Sequence, residues 1–284
     1  YRLYYLYIYF YLYFYYMVFG KFLAIAIILI IIYYLVKSAE TLYVIKFKKP
    51  IYTHFYLFKK KLPESSITIL ENQFEFYGLL NTSQKTFFQH RLATFLADKE
   101  FFGREDLEVT EEMKVLIGAT AIMLTFGMRN YYLGILDRVI IYPNTYYSNI
   151  TAAYHKGEFN PRLKALVISW KDFKEGYADT TDNLNLGIHE FTHILQLNSK
   201  KFRDVSASIF SDGYTEIEQI LKDDLYRNNL MASDYFRNYA YTNKYEFLAV
   251  LIENFIETPK DFKMNFPQLY SKVRQMLNYN FAGY

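Results

Sequence analysis

Apolar positions along the chain fall into three regimes. From residue 17 to residue 36 they run almost without interruption, MVFGKFLAIAIILIIIYYLV, with Lys21 as the one charge. Twenty residues at about 1.5 Å each match a hydrocarbon core about 30 Å thick, so residues 17–37 are expected to form a transmembrane helix. Lys21 lies near enough to one end for its ammonium to reach the headgroups. A signal-peptide core is the competing reading, but the run is long and SAE after Lys37 is a poor cleavage site. Beyond residue 64 the apolar positions take helical spacing, first in ENQFEFYGLL and TSQKTFFQHRLATFLADKEFF. Thr110 is placed to cap a helix through KVLIGATAIMLTFG, with Glu111 and Glu112 in its first turn. Strand-like runs follow at 138–143 (RVIIYP) and 164–170 (KALVISW). Asp182 is the expected cap of a helix carrying HEFTH, and further helices are expected near 213–228, 244–257 and 267–278. Helices dominate around a small mixed sheet, which predicts an α+β domain over 64–284.

Two segments flank the apolar run. Residues 1–16, YRLYYLYIYFYLYFYY, are a low-complexity aromatic extension. Two origins are open for it: a real extension of the span, or in-frame sequence upstream of a start at Met17. Residues 38–63 read as a basic juxtamembrane tether ending near Pro63.

Charge sharpens this division. The chain of 284 residues has net charge +3, but residues 1–63 hold nine Lys/Arg against one acidic residue and residues 64–284 hold 23 against 28. The basic excess therefore belongs to the tether, not to a nucleic-acid footprint. Lys37, Lys46, Lys48, Lys49, Lys59, Lys60 and Lys61 follow the span, whereas only Arg2 and Lys21 precede it or lie within it. Positive residues stay inside, so the expected arrangement is single-pass in the inner (cytoplasmic) membrane with a cytoplasmic body. The tether's lysines, interleaved with Phe and Tyr, suit anionic lipid. No cysteine is present, which excludes disulfides, thiolate metal sites and a cysteine nucleophile.

The candidate chemistry lies in NLGIHEFTHILQ, residues 185–196. His189 and His193 are four apart, on one helix face, so both imidazoles can reach one ion. Glu190 is rotated off that line, where it can take a proton from water without ligating. A zinc site of this kind needs a third protein ligand and an open fourth position. No histidine follows His193, so the third ligand must be acidic: Asp204, Asp212, Glu216, Glu218, Asp223, Asp224, Asp234, Glu246, Glu253 or Glu257. Glu246 heads an apolar helix, YEFLAVLIENF, where a carboxylate is costly unless paired or metal-bound. Glu253, two turns on, can brace a histidine ring. The residues alone leave another reading open, with Glu246 as a helix cap and Glu253 at the surface.

Several ordered blocks carry a resemblance from about residue 78 to residue 277: FFGREDLEVTEEMKVLIGATAIMLTFG, RVIIYPNTY, LVISWKDFKEGYADTTDNLNLGIHEFTHILQ and NYAYTNKYEFLAVLIENFIETPKDFKMNFPQLYSKVRQML. Together they resemble the Mlc titration factor A family of zinc-dependent peptidases, zincins similar to the catalytic domain of anthrax lethal factor. The resemblance implies zinc (Zn2+) on His189, His193 and Glu246, with Glu190 as general base. It also implies that Tyr239, seven residues before Glu246, faces the ion. Gln196 departs from the family's HEFAHQLD continuation, the segment 198–213 differs in character, and well-known members lack the N-terminal span. Nothing in the residues carries over the Mlc repressor as a partner.

The expected function is a membrane-tethered zinc metallopeptidase acting on a peptide or protein, either as aminopeptidase or endopeptidase. KALVISW is expected as an edge strand beside the cleft, by analogy with zincin folds. The alternative is a regulatory module that sequesters a protein partner, with the metal structural.

Overall fold

A computed structural model describes residues 2–148 and 152–284, and the chain divides into two compact units. The first holds a single helix, α1 (Arg2–Phe47), whose most apolar 18-residue window has a mean hydropathy of 2.5. It is long and apolar enough to cross a membrane. Its 46 residues rise about 69 Å, over twice the hydrocarbon thickness, so a single crossing uses only part of it. The helix carries on through residues 38–47, and residues 52–63 belong to the second unit, so the segment read as one tether is divided between the two.

The second unit is mostly helical with a small mixed sheet, the α+β architecture that the periodicity implies. It opens with α2 (Glu64–Gln73), α3 (Glu75–Gly78) and α4 (Thr82–Asp98), the last held by a reciprocal cap between Asn81 and Gln84. β1 (Glu100–Gly103) follows, where the apolar spacing continued the α4 pattern. α5 (Glu111–Thr125) is capped by Thr110, whose side chain accepts from the Met113 amide. It is buried almost all round, and Gly118 lets α4 close on it: a Cβ there would lie 2.7 Å from Leu92 Cδ1.

The strands β2 (Arg138–Tyr142), β3 (Tyr146–Ser148), β4 (Ala153–His155), β5 (Gly157–Asn160) and β6 (Ala165–Ser169) come next. The main sheet has the order β1-β2-β6-β5, with the first three strands parallel and β5 antiparallel. β3 and β4 form a separate hairpin. β6, from KALVISW, is therefore interior and not an edge. Its Ala165, Leu166 and Ile168 are buried, as a strand covered on both faces requires. The edges are β1 and β5, and the GEFN of β5 is only partly covered.

The helices α6 (Trp170–Ala178), α7 (Leu186–Lys201), α8 (Val205–Ile220), α9 (Asp224–Ala232), α10 (Lys244–Glu257), α11 (Pro259–Asn265) and α12 (Pro267–Leu277) complete the unit. A 3-10 turn, Asn238–Tyr241, leads into α10. The single helix expected over 213–228 is two. Asp204 caps α8 by accepting from the Ala207 amide, and Asp223 restarts the chain as α9 by accepting from Tyr226. One continuous core runs under these helices and the main sheet, with α7 packed against α5, α8 and α10.

Candidate metal centre

Two buried helices, α7 and α10, bring the site together. α7 starts at Asn185, not at Asp182. The Asn185 Oδ1 accepts from the Ile188 amide at 3.0 Å, and its Nδ2 donates to Gly176 O at 2.7 Å. Asp182 instead closes a local turn by accepting from the Leu184 amide at 3.0 Å. Ile188, Phe191, Ile194 and Leu195 sink into the core, which fixes the helix about its axis. Gly187 allows contact with α6, since a Cβ there would lie 2.6 Å from Phe173.

α10 begins at Asn243, whose Oδ1 accepts from Tyr245 N at 2.8 Å and Glu246 N at 3.2 Å. Asn243 is thus the cap, and the Glu246 side chain is left to point at α7, its charge favoured by the helix N-terminus. His189 Nε2 lies 2.8 Å from Glu246 Oε2 and 3.1 Å from His193 Nε2, and His193 Nε2 lies 3.5 Å from Glu246 Oε2. Among the described residues these three are the one group of ligating side chains close enough to share an ion. The other acidic candidates lie elsewhere. Asp204 and Asp223 are caps. Glu216, Glu218 and Asp224 pair with Lys272, Lys244 and Arg227. Asp212 lies on α8, Asp234 follows α9, and Glu257 ends α10 beside Asn185.

Behind His189 sits Glu253, fully buried. Its Oε1 lies 2.6 Å from His189 Nδ1, so Nδ1 carries the proton it donates and Nε2 is left for an ion. Arg237 grips the same carboxylate through Nη1 to Oε2 at 2.6 Å and Nη2 to Oε1 at 2.9 Å. Its Nη1 also makes a short bond to Asn183 O, and the Asn185 amide donates to Glu253 Oε2 at 3.3 Å. Four N–H groups from three residues thus converge on one carboxylate.

Glu190 is buried on the same turn of α7 as His189. Burial pushes its pKa up, opposed by His189 and His193 and reinforced by Glu246 and Glu158. The backbone of β5 rests against it: a Cβ on Gly157 would lie 2.7 Å from Glu190 Cγ and 2.8 Å from its Oε1. Tyr239, in the 3-10 turn, has its ring centroid 5.8 Å from that of His189. Burial, then the nearby Glu246, pushes its phenol up to about 12, so it stays a donor at neutral pH. Two open clefts meet here, both bordered by His189, Glu190, Tyr239 and Gly157. One, about 460 Å³, extends toward Arg237, Asp182 and Tyr154; the other, about 440 Å³, extends toward His193, Gln196 and Tyr245. A larger cavity of about 1070 Å³ touches α7 only at Asn185 and Ile188 and none of the three ligating side chains.

All six residues singled out from sequence, His189, Glu190, His193, Tyr239, Glu246 and Glu253, therefore share one locality. Arg237, Gly157 and the caps Asn185 and Asn243 were missed. Arg237 lies two residues before Tyr239, but nothing in the local sequence ties a basic side chain there to a carboxylate sixteen residues on. Gly157 carries no ligating atom, and its signal is an absent Cβ.

Comparison with known proteins agrees with this geometry. The family model of the glucose-regulated metallo-peptidase M90 matches residues 52–278. An uncharacterized protein of Synechocystis sp. is 27% identical over 241 residues, covering 77% of this chain and 85% of that protein. With the match extending over nearly all of the second unit, the chain belongs to the glucose-regulated M90 metallopeptidase family, that of Mlc titration factor A.

Proposed function

We propose that this chain is a membrane-anchored zinc peptidase, and the observation that carries the reading is the convergence of His189, His193 and Glu246. A tetrahedral zinc with ligands about 2.0–2.1 Å away holds their atoms roughly 3.3 Å apart. The spacings of 2.8, 3.1 and 3.5 Å bracket that value, and two imidazole nitrogens with a carboxylate oxygen suit zinc. The ion would supply Lewis acidity toward the scissile carbonyl and toward a water beside it.

Glu190 takes the proton of the attacking water and delivers it to the leaving amine. Its raised pKa suits the first transfer, because the carboxylate is a stronger base toward the water than it would be in free solution, and a pKa nearer the working pH lets one group both take and return a proton. Tyr239 donates to the carbonyl oxygen as negative charge develops there. Glu253 and Arg237 hold the His189 ring in the tautomer that presents Nε2. The free edge of β5 offers backbone groups to an extended peptide. The lysines after α1 favour a cytoplasmic peptidase unit, and a reporter fused after Tyr284 should read cytoplasmic.

The test uses the full chain in detergent, with zinc measured and a peptide library offered to wild type and Glu190→Gln. One zinc per chain in both, with cleavage lost by roughly 1000-fold or more in the variant, is expected for a general base. Equal and absent turnover in both would instead favour a binding module with a structural ion.

A further inference from the structure

Residues 52–63 cross the surface of the peptidase unit without helix or strand, yet their side chains alternate. His54 and Tyr56 turn inward. The His54 ring stacks on Phe87 with centroids 4.6 Å apart, and the Tyr56 ring lies 4.1 Å from that of His90. Phe55, Leu57 and Phe58 turn outward and are 70%, 81% and 90% exposed. Lys59, Lys60 and Lys61 follow directly. Lys59 folds its ammonium 4.7 Å over the Phe87 ring, which leaves Lys60 and Lys61 projecting from the surface.

The segment cannot fold these apolar groups away, because its backbone is bolted down. Arg91 is fully buried and donates to Tyr56 Oη at 2.7 Å, Thr53 O at 3.1 Å, Thr125 O at 2.9 Å, Phe126 O at 3.1 Å and Met128 O at 2.8 Å. A buried guanidinium is tolerable only when its donors are met, and its planar fork holds every acceptor in place. Lys60 N donates to His90 Nδ1 at 2.9 Å, and Leu62 is buried at the end of the segment. A single exposed Leu needs no explanation. Three adjacent apolar side chains held outward by a buried charge do.

We propose that Phe55, Leu57 and Phe58 form a wedge that enters the interface of an anionic lipid bilayer, with Lys60 and Lys61 on its headgroups. Lipid, rather than a protein surface, is favoured by two observations. The lysines complement anionic headgroups. The wedge also begins within ten residues of the end of α1 at Phe47, the helix apolar enough to cross a membrane. The proposal rests on the reading of α1 as a membrane anchor. It adds a second lipid contact, made by the peptidase unit itself, of the kind that interfacial aromatic side chains make.

The chain has no cysteine, so one introduced thiol can carry a nitroxide without background. The full chain would be reconstituted as Phe58→Cys, Ile27→Cys and Leu225→Cys in phosphatidylcholine vesicles with and without phosphatidylglycerol. Accessibility to oxygen and to a nickel chelate would be read by power saturation. Position 58 should favour oxygen on anionic vesicles, position 27 should do so on both, and position 225 should favour nickel. Lys60→Gln/Lys61→Gln, or neutral vesicles, should shift position 58 toward nickel. A nickel-favouring position 58 on anionic vesicles overturns the wedge however position 27 reads. Shielding of position 58 from both reagents, as under a protein partner, overturns it as well. A nickel-favouring position 27 overturns the anchor instead.

Discussion

Glu253 is where the two halves of the centre meet. It is not one of the three clustered side chains, yet it sets which nitrogen of His189 faces Glu246 and His193, and it is itself held by Arg237. Removing such an outer partner weakens metal binding by about 10–100-fold. Arg237→Ala should therefore lower zinc affinity within that range, measured by competition with a chromogenic chelator. Arg237→Lys should restore only part of the loss, because a point ammonium cannot span both carboxylate oxygens as a guanidinium fork does. Unchanged affinity in both variants would remove Arg237 from the centre. Glu246→Ala, which deletes a proposed ligand, should cost far more in the same titration.

At the scale of elements, α7 is positioned by its start. Asn185 satisfies the first turn and ties it to α6 through Gly176 O. Asn185→Ala should cost about 1–2 kcal/mol of stability, whereas Asp182→Ala should cost a few tenths; thermal unfolding of the two side by side decides between them. The elements differ in how legible they are in the sequence. α5, α7 and α10 follow from 3.6-residue periodicity, and Thr110 declares itself by the Glu pair after it. The pairing of Glu246 with HEFTH is only half visible: a carboxylate on an apolar helix demands a reason, but a helix cap would supply one, and the resemblance, not the residues, points to the histidines. Strand order is not visible: KALVISW and GEFN do not state their neighbours, and an interior strand reads the same as an edge. Nor does local pattern separate Asp182 from Asn185 as a cap, since both types cap well and only the contact with Gly176 distinguishes them. β1 hides because EFFG continues the apolar spacing of α4 and only its pairing with β2 makes it a strand.

For the whole molecule, the ion and the proton compete. In the metal-free protein, burial lowers the His189 pKa, but hydrogen bonds to Glu246 and Glu253 outweigh it and raise the ring to about 9 from 6.5. A raised folded-state pKa gives stability that is fully present below pH 6.5 and is lost as pH rises through about 9. Unfolding in chelator should therefore occur at lower temperature at pH 9 than at pH 6.5. With His189 as a zinc ligand, as proposed, binding must expel that proton, so affinity should rise over the same interval by about tenfold per pH unit for one proton released. Slopes of the same sign in the two measurements would mean that His189 is not the group involved.

The Glu253 junction also bears on how this fold can vary. The halves of the centre are locked by bonds among α7, Arg237 and α10, not by residues 202–236 of the chain that joins them. The joint between α8 and α9, residues 221–223, lies within that connecting chain. Because the entropic cost of closing a surface loop rises only slowly with its length, insertions there can change the shape of the molecule while His189, His193 and Glu246 stay in register. The centre works as a clasp on two ends of a strap whose length is free to change.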